Sequence, residues 1–364
     1  MPSGKAKKFG ETTVPLIQDR LDMTTKPQRT AIYDRMPKRL IPLLLLLLLA
    51  APAAAQPLAD VVRQAEALKP LETLIVARDG EILVEKGFRG HATTAPTNVK
   101  SVAKTIISAL VGIAIDRGLL EGPDQKVAPL LRDKLPADPD PRLHDITIGN
   151  LLSMQAGLQR TSGPHYGRWV ASRDWVHAVL DQPFVGEPGG GMLYSTGNSH
   201  FLSAILTRVG RRSTLALAHD WLAPLAEFAI ADWMRDPQGI YFGGNQMAMT
   251  PRALLAFGEL YRNGGQAGGR QVLSPGWIET SWQPRTQSVF HDDLYGYGWF
   301  LTRMGGHAVT YAWGYGGQMV YVVPGLGLTV VMTSAADRPS ARSGHRDDLH
   351  ALMRSIVAAV QETT

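Results

Sequence analysis

Ser101 and Lys104 stand three residues apart at the start of an apolar segment. On a helix this spacing puts both side chains on one face, with about 5–6 Å between their Cβ atoms. Burial of such a helix lowers the proton affinity of the lysine, and a neutral lysine can take the proton of a serine nucleophile. A plainer alternative is a lysine whose stem covers apolar surface while its head reaches water. The spacing alone is a weak signal, so the pair predicts acyl-transfer chemistry only if further groups accompany it.

Tyr194 is the candidate for a third group. A glycine-rich turn at 188–191 precedes it, and an apolar helical pattern begins at Phe201. The small polar residues between these two features favour a tight loop, so we expect Tyr194 to project from a loop into a cleft. The alternative is a half-buried tyrosine that simply finds a hydrogen-bond partner.

Two β-type runs, 319–323 and 328–333, flank a Pro-Gly-Leu-Gly turn and predict a β-hairpin. A glycine-rich stretch stands just before the first run and consists of Gly314, Tyr315, Gly316 and Gly317. Glycines let the backbone come close to a ligand, so an N–H group of this stretch could bind a developing oxyanion. The same glycines could instead mark only a bulge or a tight turn.

Three further segments occur in a recognisable order around these groups. The segment 73–85 contains an Asp-Gly turn typical of a hairpin, 146–158 reads Ile-Thr-Ile-Gly-Asn-Leu-Leu-Ser-Met-Gln-Ala-Gly-Leu, and within 243–258 a Thr-Pro pair opens a helical pattern. With the groups above, they resemble the serine β-lactamase and penicillin-binding-protein superfamily over most of the chain. The resemblance is to its class C-like branch, which includes family VIII-type carboxylesterases, D-aminopeptidases and 6-aminohexanoate-dimer hydrolases.

The resemblance implies both a fold and a set of roles. The fold class is α/β (α+β), of the β-lactamase/transpeptidase type, with an antiparallel sheet flanked by helices and a mainly helical subdomain at roughly 120–270. Ser101 would be the acylated nucleophile, Lys104 its base and Tyr194 a proton relay. The backbone N–H groups of Ser101 and of the stretch Gly314, Tyr315, Gly316 and Gly317 would bind the oxyanion, with Tyr315 as the expected second donor.

The chain departs from the family pattern at two motifs. The third motif usually carries a lysine or histidine, whereas here the equivalent stretch around Trp313 carries neither. Thr196 stands where class C enzymes have an asparagine, and no Ser-Asp-Asn triplet occurs, which argues against a class A mechanism with a separate glutamate base. These departures argue against efficient β-lactam hydrolysis and favour a small-molecule ester or amide as the substrate.

Two other functions stay open. One is a D,D-peptidase, a D-aminopeptidase or a weak β-lactamase, against which the missing third-motif cation counts. The other is a non-catalytic penicillin-binding or sensor homologue, against which the intact Ser101, Lys104 and Tyr194 count. We predict no cofactor and no metal, since the His291-Asp292-Asp293 run is interpreted as a solvated loop and the histidines show no ligand spacing. The oligomeric state cannot be read from the sequence.

The N-terminal segment predicts export. Residues 36–55 have a basic start, an apolar run and an Ala-x-Ala site near Ala55-Gln56, which is the pattern of a signal peptide. The apolar run is shorter than the roughly 20 residues of a membrane span, although an uncleaved anchor is the alternative. We therefore expect a periplasmic or secreted protein with no stable membrane span after cleavage. Residues 1–35 are interpreted as a non-native or disordered extension, and 56–364 as the hydrolase domain.

The charge distribution and the lack of cysteine limit the kinds of partner and of chemistry that are expected. Residues 1–55 hold nine of the 37 Lys and Arg and four of the 32 Asp and Glu, which leaves 28 of each in 56–364. The net positive charge of the chain therefore lies in residues 1–55. No nucleic-acid partner is expected for the rest of the chain. The absence of cysteine excludes disulfides, thiolate catalysis and cysteine-ligated metals.

Overall fold

The computed structural model describes residues 55–362. The predicted extension 1–35 and nearly all of the predicted signal peptide 36–55 lie outside these residues. The helices are α1 (Ala55–Ala67), α2 (Ala103–Asp116), α3 (Ile148–Leu152), α4 (Tyr166–Val170), α5 (Trp175–Leu180), α6 (Thr196–Gly210), α7 (Thr214–Trp221), α8 (Pro251–Arg262), α9 (Pro275–Ser281), α10 (Ser340–Ser343) and α11 (His345–Glu362).

The strands form one large sheet and two small ones. Their bounds are β1 (Leu71–Arg78), β2 (Glu81–Gly87), β3 (Thr97–Asn98), β4 (Ile230–Trp233), β5 (Met247–Met249), β6 (Gln266–Ala267), β7 (Arg270–Gln271), β8 (Thr286–Gln287), β9 (Leu294–Tyr295), β10 (Phe300–Met304), β11 (His307–Gly314), β12 (Gln318–Val323) and β13 (Leu328–Ser334). The large sheet has eight antiparallel strands in the order β2-β1-β13-β12-β11-β10-β9-β8. The predicted antiparallel sheet flanked by helices is confirmed.

Both predicted hairpins are present. Asp79 and Gly80 join β1 to β2 with φ of 50° and 87°, the left-handed values that a two-residue hairpin turn of this hand requires. The second hairpin pairs β12 with β13 through the Pro-Gly-Leu-Gly turn. β13 also pairs with β1. The four strands β2, β1, β13 and β12 therefore form one half of the sheet, from its edge at β2 to its centre.

Both faces of the sheet are buried, which explains why its central strands are apolar almost throughout. Leu74 and Val76 point to one face and pack with residues of α1 and α11, whereas Ile75 and Ala77 point to the other face. On that second face α8 lies across β12 and β13. Thr250 caps α8 by accepting a hydrogen bond from the Ala253 N–H, as the Thr-Pro pair predicts.

Helix α2, which carries Lys104, is buried along nearly its whole length and packs against α6. A 3₁₀ turn, Lys100–Val102, precedes α2 and contacts β11 and β12, so the start of this helix is set against the sheet. Between 120 and 270 the chain is mainly helical, with α3 to α8 and the short strands β4 to β7. The division of this region into a subdomain stays a prediction.

Helix α6 begins at Thr196, five residues before the Phe201 expected from the sequence. The hydroxyl of Ser162 accepts a hydrogen bond from the Thr196 N–H at 2.9 Å, and that of Thr161 accepts one from the Gly197 N–H at 2.9 Å. Free N–H groups at a helix start need such acceptors. Here the acceptors come from a distant segment, so the local apolar pattern could not reveal them.

Within residues 55–362, no helix has the length and apolar character required to cross a bilayer.

Candidate active site

Ser101 lies in the 3₁₀ turn that leads into α2, and Lys104 lies in the first turn of α2 itself. The Nζ atom of Lys104 is 3.0 Å from the Ser101 Oγ, so the two side chains are joined by a hydrogen bond. Lys100, just before the serine, has a φ of 51°, and its N–H is held by the side chain of Asn98 at 3.0 Å. A left-handed lysine is a strained conformation of the kind that clusters at functional sites.

Lys104 is a buried amine whose side chain is enclosed by the site. The residue is only 3% exposed, and desolvation lowers the pKa of its amine from the usual 10.5 to about 7. Among the described residues, none of the carboxylates forms an ion pair with this amine. A large fraction of Lys104 is therefore neutral at pH 7, with a lone pair available to accept a proton.

Tyr194 is brought to the same point by the loop that enters α6. Its ring centre lies 5.1 Å from the Lys104 Nζ, and its hydroxyl lies close enough to Ser101 for the serine to lower the pKa of the phenol. Burial raises the pKa of the Tyr194 hydroxyl to about 12, and the Ser101 contact opposes this shift only in part. The phenol is therefore protonated at neutral pH and able to donate. Ser101, Lys104 and Tyr194, selected from distant motifs, are in mutual contact.

Gly244 is a site residue that the sequence reasoning missed. Its carbonyl oxygen accepts a hydrogen bond from the Lys104 Nζ at 2.7 Å. A Cβ atom on Gly244 would lie 2.8 Å from the Thr196 Cγ2 and 3.2 Å from the Lys104 Nζ. Glycine lets this backbone approach the amine so closely, and the Gly-Gly pair before the later helix is the sequence signal that could have been used.

The predicted oxyanion stretch follows β11 and lies against the turn that carries Ser101. A Cβ atom on Gly314 would be only 2.4 Å from the carbonyl oxygen of Val99, so the strand end and the turn are in close contact. Gly316 and Gly317 have φ of 91° and 109°, which side-chain-bearing residues rarely adopt. The stretch is thus a tight turn that lies beside Ser101.

Gln318 holds this turn in place through hydrogen bonds to the neighbouring strand β13. Its fully buried amide donates a hydrogen bond from Nε2 to the Ser334 carbonyl at 2.6 Å and accepts one at Oε1 from the Ser334 N–H at 3.3 Å. These two bonds tie the start of β12 to the end of β13. Because a buried amide has to find partners, Gln318 holds the glycine stretch in one position.

Ser101 and Tyr194 open into a cavity with two arms that share these two residues. One arm has a volume of about 730 Å³, and its walls include Val289, Phe290, Trp313, Pro339 and Ala341. The other has a volume of about 530 Å³, and its walls include Lys100, Arg160, Ser162, Tyr166, Thr196, Asn245 and Gln246. Tyr315 and Arg342 border both arms. A larger cavity is lined by α2, α7 and the segment 268–274. Its walls include none of Ser101, Lys104 and Tyr194, and it lies away from them.

The interpretation of 291–293 as a solvated loop was wrong for two of its three residues. The side chains of His291 and Asp293 are only 13% and 22% exposed. The Tyr311 hydroxyl donates a hydrogen bond to Asp293 at 2.6 Å and lies 3.2 Å from the His291 Nε2. These contacts anchor the loop to β11 and so hold the preceding Phe290 in the wall of the apolar arm. No group of three or more potential metal ligands occurs among the described residues.

Comparisons with known proteins identify the family and the fold of the chain. The sequence model of the Beta-lactamase family matches residues 65–353. The 6-aminohexanoate-dimer hydrolase of Paenarthrobacter ureafaciens is 26% identical over 302 residues, which is 75% of each chain.

Solved structures share the fold. A penicillin-binding protein homologue from Caulobacter crescentus superposes with a TM-score of 0.67 at 18% identity, over 85% of this chain and 98% of its own. EstCE1, a hydrolase with promiscuous acyltransferase activity, gives a TM-score of 0.67 at 19% identity, over 82% and 100%. Since the family match spans most of the chain, including all three contacting site residues, the chain belongs to the Beta-lactamase family of serine hydrolases.

Proposed function

We propose that this protein hydrolyses a small ester or amide through an acyl-enzyme on Ser101. The observation that carries the proposal is the 3.0 Å contact between the Ser101 Oγ and a buried Lys104 amine whose pKa is lowered to about 7 by desolvation. A neutral amine at that distance can take the serine proton, which no other described group at the site is placed to do.

Acylation would proceed by transfer of the Ser101 proton to Lys104 as the Oγ atom attacks the substrate carbonyl carbon. The backbone N–H groups of Ser101 and Tyr315 are the proposed donors to the oxygen that becomes negative. Tyr194, whose phenol is protonated at neutral pH, donates its proton to the leaving oxygen or nitrogen as the carbonyl–heteroatom bond breaks. The Lys104 ammonium then returns a proton to Tyr194, so the charge balance is restored.

Deacylation would repeat these steps with water in place of Ser101. Neutral Lys104 accepts the proton of the attacking water through the Tyr194 hydroxyl, which passes its own proton to Lys104 as it takes the proton of the water. The Lys104 ammonium then gives this proton to the Ser101 Oγ as the acyl–oxygen bond breaks, so both side chains return to their neutral forms. The products are a carboxylic acid and the free enzyme. No metal or cofactor takes part in any of these steps.

An ester or an unstrained amide is favoured over a β-lactam by the third motif. Trp313 and the glycines that follow supply no cation at that strand end, whereas the adjoining cavity arm is apolar. Two similar proteins support acyl transfer from substrates other than β-lactams. They are the 6-aminohexanoate-dimer hydrolase and EstCE1, a hydrolase with promiscuous acyltransferase activity. Export to the periplasm or the medium remains a proposal that rests on the leader sequence.

The test is a burst-phase assay with 4-nitrophenyl acetate and butyrate on protein beginning at Gln56. We expect a rapid release of about one equivalent of nitrophenol followed by slower turnover, since acyl-enzyme accumulation gives this kinetic signature. Ser101→Ala should abolish both phases and prevent the mass increase of one acyl group on the intact protein. Turnover that persists in Ser101→Ala protein would refute the proposed nucleophile.

A further inference from the structure

The two arms of the cavity differ in the number of charged side chains that border them. The arm along Trp313 is bordered mainly by apolar and aromatic side chains. The arm along Asn245 shares Phe290 and Arg342 with the first arm and adds hydroxyls, amides and two further basic side chains, Lys100 and Arg160. Ser101 borders both arms. A substrate that reaches across Ser101 therefore places one end near Trp313 and the other end near Lys100 and Arg160.

The cations of the polar arm are not compensated by acids. Neither arm has an aspartate or a glutamate in its wall. Among the ion pairs of residues 55–362, none involves Lys100, Arg160 or Arg342, which is also true of most of the arginines described. The distinctive feature of this arm is that three cations border it with no acidic side chain in its wall, although the predicted mature chain has 28 basic and 28 acidic residues.

Several neutral polar groups of the same arm are hydrogen-bonded to each other. The Asn245 side chain donates to the Tyr166 hydroxyl at 3.2 Å, and the hydroxyls of Ser162 and Thr196 are 2.9 Å apart. These bonds hold the wall in place without a ligand. The three basic side chains form none of the described hydrogen bonds or ion pairs and so are available to an anion.

We propose that the substrate of this site is an anion, namely an ester or amide that carries a carboxylate in the arm of Lys100, Arg160 and Arg342 and an apolar group in the arm of Trp313. The inference rests on the proposed acyl-enzyme function and adds the substrate class to it. The same cations would repel a substrate end that carries an ammonium group.

Guanidinium groups are well suited to this task, because their paired N–H donors match the two oxygens of a carboxylate. Lys100 adds a cation beside the nucleophile, and desolvation lowers the pKa of its amine. An anion bound in the arm would stabilise the charged form of the Lys100 amine and so offset its desolvation. Since both arginines are exposed, their attraction for the anion is screened by salt, and the preference should weaken as ionic strength rises.

The experiment compares esters that differ only in a free carboxylate or its carboxamide. One pair is 4-nitrophenyl hydrogen glutarate and the matching glutaramate, in which the charge is on the acyl side. The other is 4-acetoxybenzoate and 4-acetoxybenzamide, in which it is on the leaving side. We expect kcat/KM to favour the carboxylate by about tenfold in at least one pair at low salt, and less at high salt. A ratio near one, or a preference for the carboxamide, in both pairs would overturn the inference.

Arg160→Gln and Arg342→Gln should each lower this carboxylate-to-carboxamide ratio several-fold. Arg270→Gln is the matched control, because Arg270 is an exposed arginine that borders the remote cavity, and it should leave the ratio unchanged. An equal loss in the control would refute a local anion site. If the neutral esters turn over with Ser101 dependence but no preference is seen, only the substrate class fails and the proposed function stands.

A binding measurement decides the inference even if no ester is turned over. Calorimetric titration of the Ser101→Ala protein with the mono-anilide of glutaric acid, and with its uncharged diamide, measures the arm without catalysis. Tighter binding of the anion that is lost in the Ser101→Ala, Arg342→Gln double variant supports the site. Equal binding of anion and diamide contradicts it.

Discussion

The Lys104 amine lies closer to the carbonyl oxygen of Gly244, at 2.7 Å, than to the hydroxyl of Ser101, at 3.0 Å. A neutral amine has two N–H groups and one lone pair. When it donates an N–H to the carbonyl, its lone pair can be directed at the serine proton. Gly244 therefore orients the amine of the proposed base, and the buried carbonyl gains a partner that it would otherwise lack.

The first prediction concerns pH. Because neutral Lys104 is the proposed base and its pKa is lowered to about 7, kcat/KM should rise about tenfold per pH unit below that value and level off above it. The measurement is kcat/KM for 4-nitrophenyl butyrate from about pH 5 to 9 with blank correction. A profile that is flat through the neutral range would contradict Lys104 as the titrating base.

The second prediction concerns stability. The Lys104 pKa is lower in the folded protein than the 10.5 of the unfolded chain, so unfolding takes up a proton between about pH 7 and 10.5 and stability rises with pH there. Lys104→Met removes this desolvated amine but leaves the Gly244 carbonyl unpaired. We expect the free energy of unfolding at neutral pH to rise by roughly 2 kcal/mol, with activity lost.

Urea unfolding of parent and Lys104→Met protein checks this at several pH values. The difference in the free energy of unfolding between variant and parent should shrink steadily as the pH approaches about 10. Toward that pH the Lys104 amine loses its proton in the unfolded parent as well, so its burial requires less deprotonation. A variant less stable than the parent at every pH would show that the amine is not held in an unfavourable environment.

The third prediction concerns Tyr194. Tyr194→Phe keeps the ring that packs edge-to-face on Phe290 at 5.1 Å and removes only the hydroxyl. We expect kcat to fall by about 10²-fold or more, since proton transfer to the leaving group is lost, with little change in melting temperature. The loss should be smaller for 4-nitrophenyl esters than for alkyl esters, whose leaving groups need the proton more. Equal losses for both would argue against a relay.

The fourth prediction concerns Gly244. In Gly244→Ala the new Cβ atom would meet Thr196 at 2.8 Å and the Lys104 amine at 3.2 Å, so the backbone or the amine must shift. A displacement of about 1 Å at a catalytic group can lower the rate about 10²-fold. Gly276→Ala, where a Cβ has no neighbour within 4 Å, is the control and should keep full activity. Equal activity of the two variants would exclude a role of Gly244 in placing the base.

Much of the sheet could be read from the sequence because local signals determine it. The Asp79-Gly80 turn and the apolar β-type runs of β12 and β13 each depend on neighbours in the chain. The contact of Ser101 with Lys104 also follows from a short spacing. Tyr194 required the family pattern, because its place depends on the loop that enters α6.

The missed features depend on contacts between distant segments. Gly244 meets Lys104 across 140 positions, and Thr161 and Ser162 supply the acceptors at the start of α6 from 34 to 36 positions away. The burial of His291 likewise comes from Tyr311 on another strand. The grouping of three unpaired cations in one arm is a property of the folded surface, which no run of residues expresses.

Phe290 links the apolar wall of the cavity to the catalytic chemistry. Its ring packs on Tyr194 and on Trp313, with ring centres 5.1 Å and 5.5 Å apart, so a replacement there changes the space for the substrate and the support of the tyrosine together. Val289 borders the same arm and is 53% exposed. Replacement of Val289 therefore changes the space in this arm without a contact to Tyr194, whereas replacement of Phe290 changes that space and the packing of Tyr194 together.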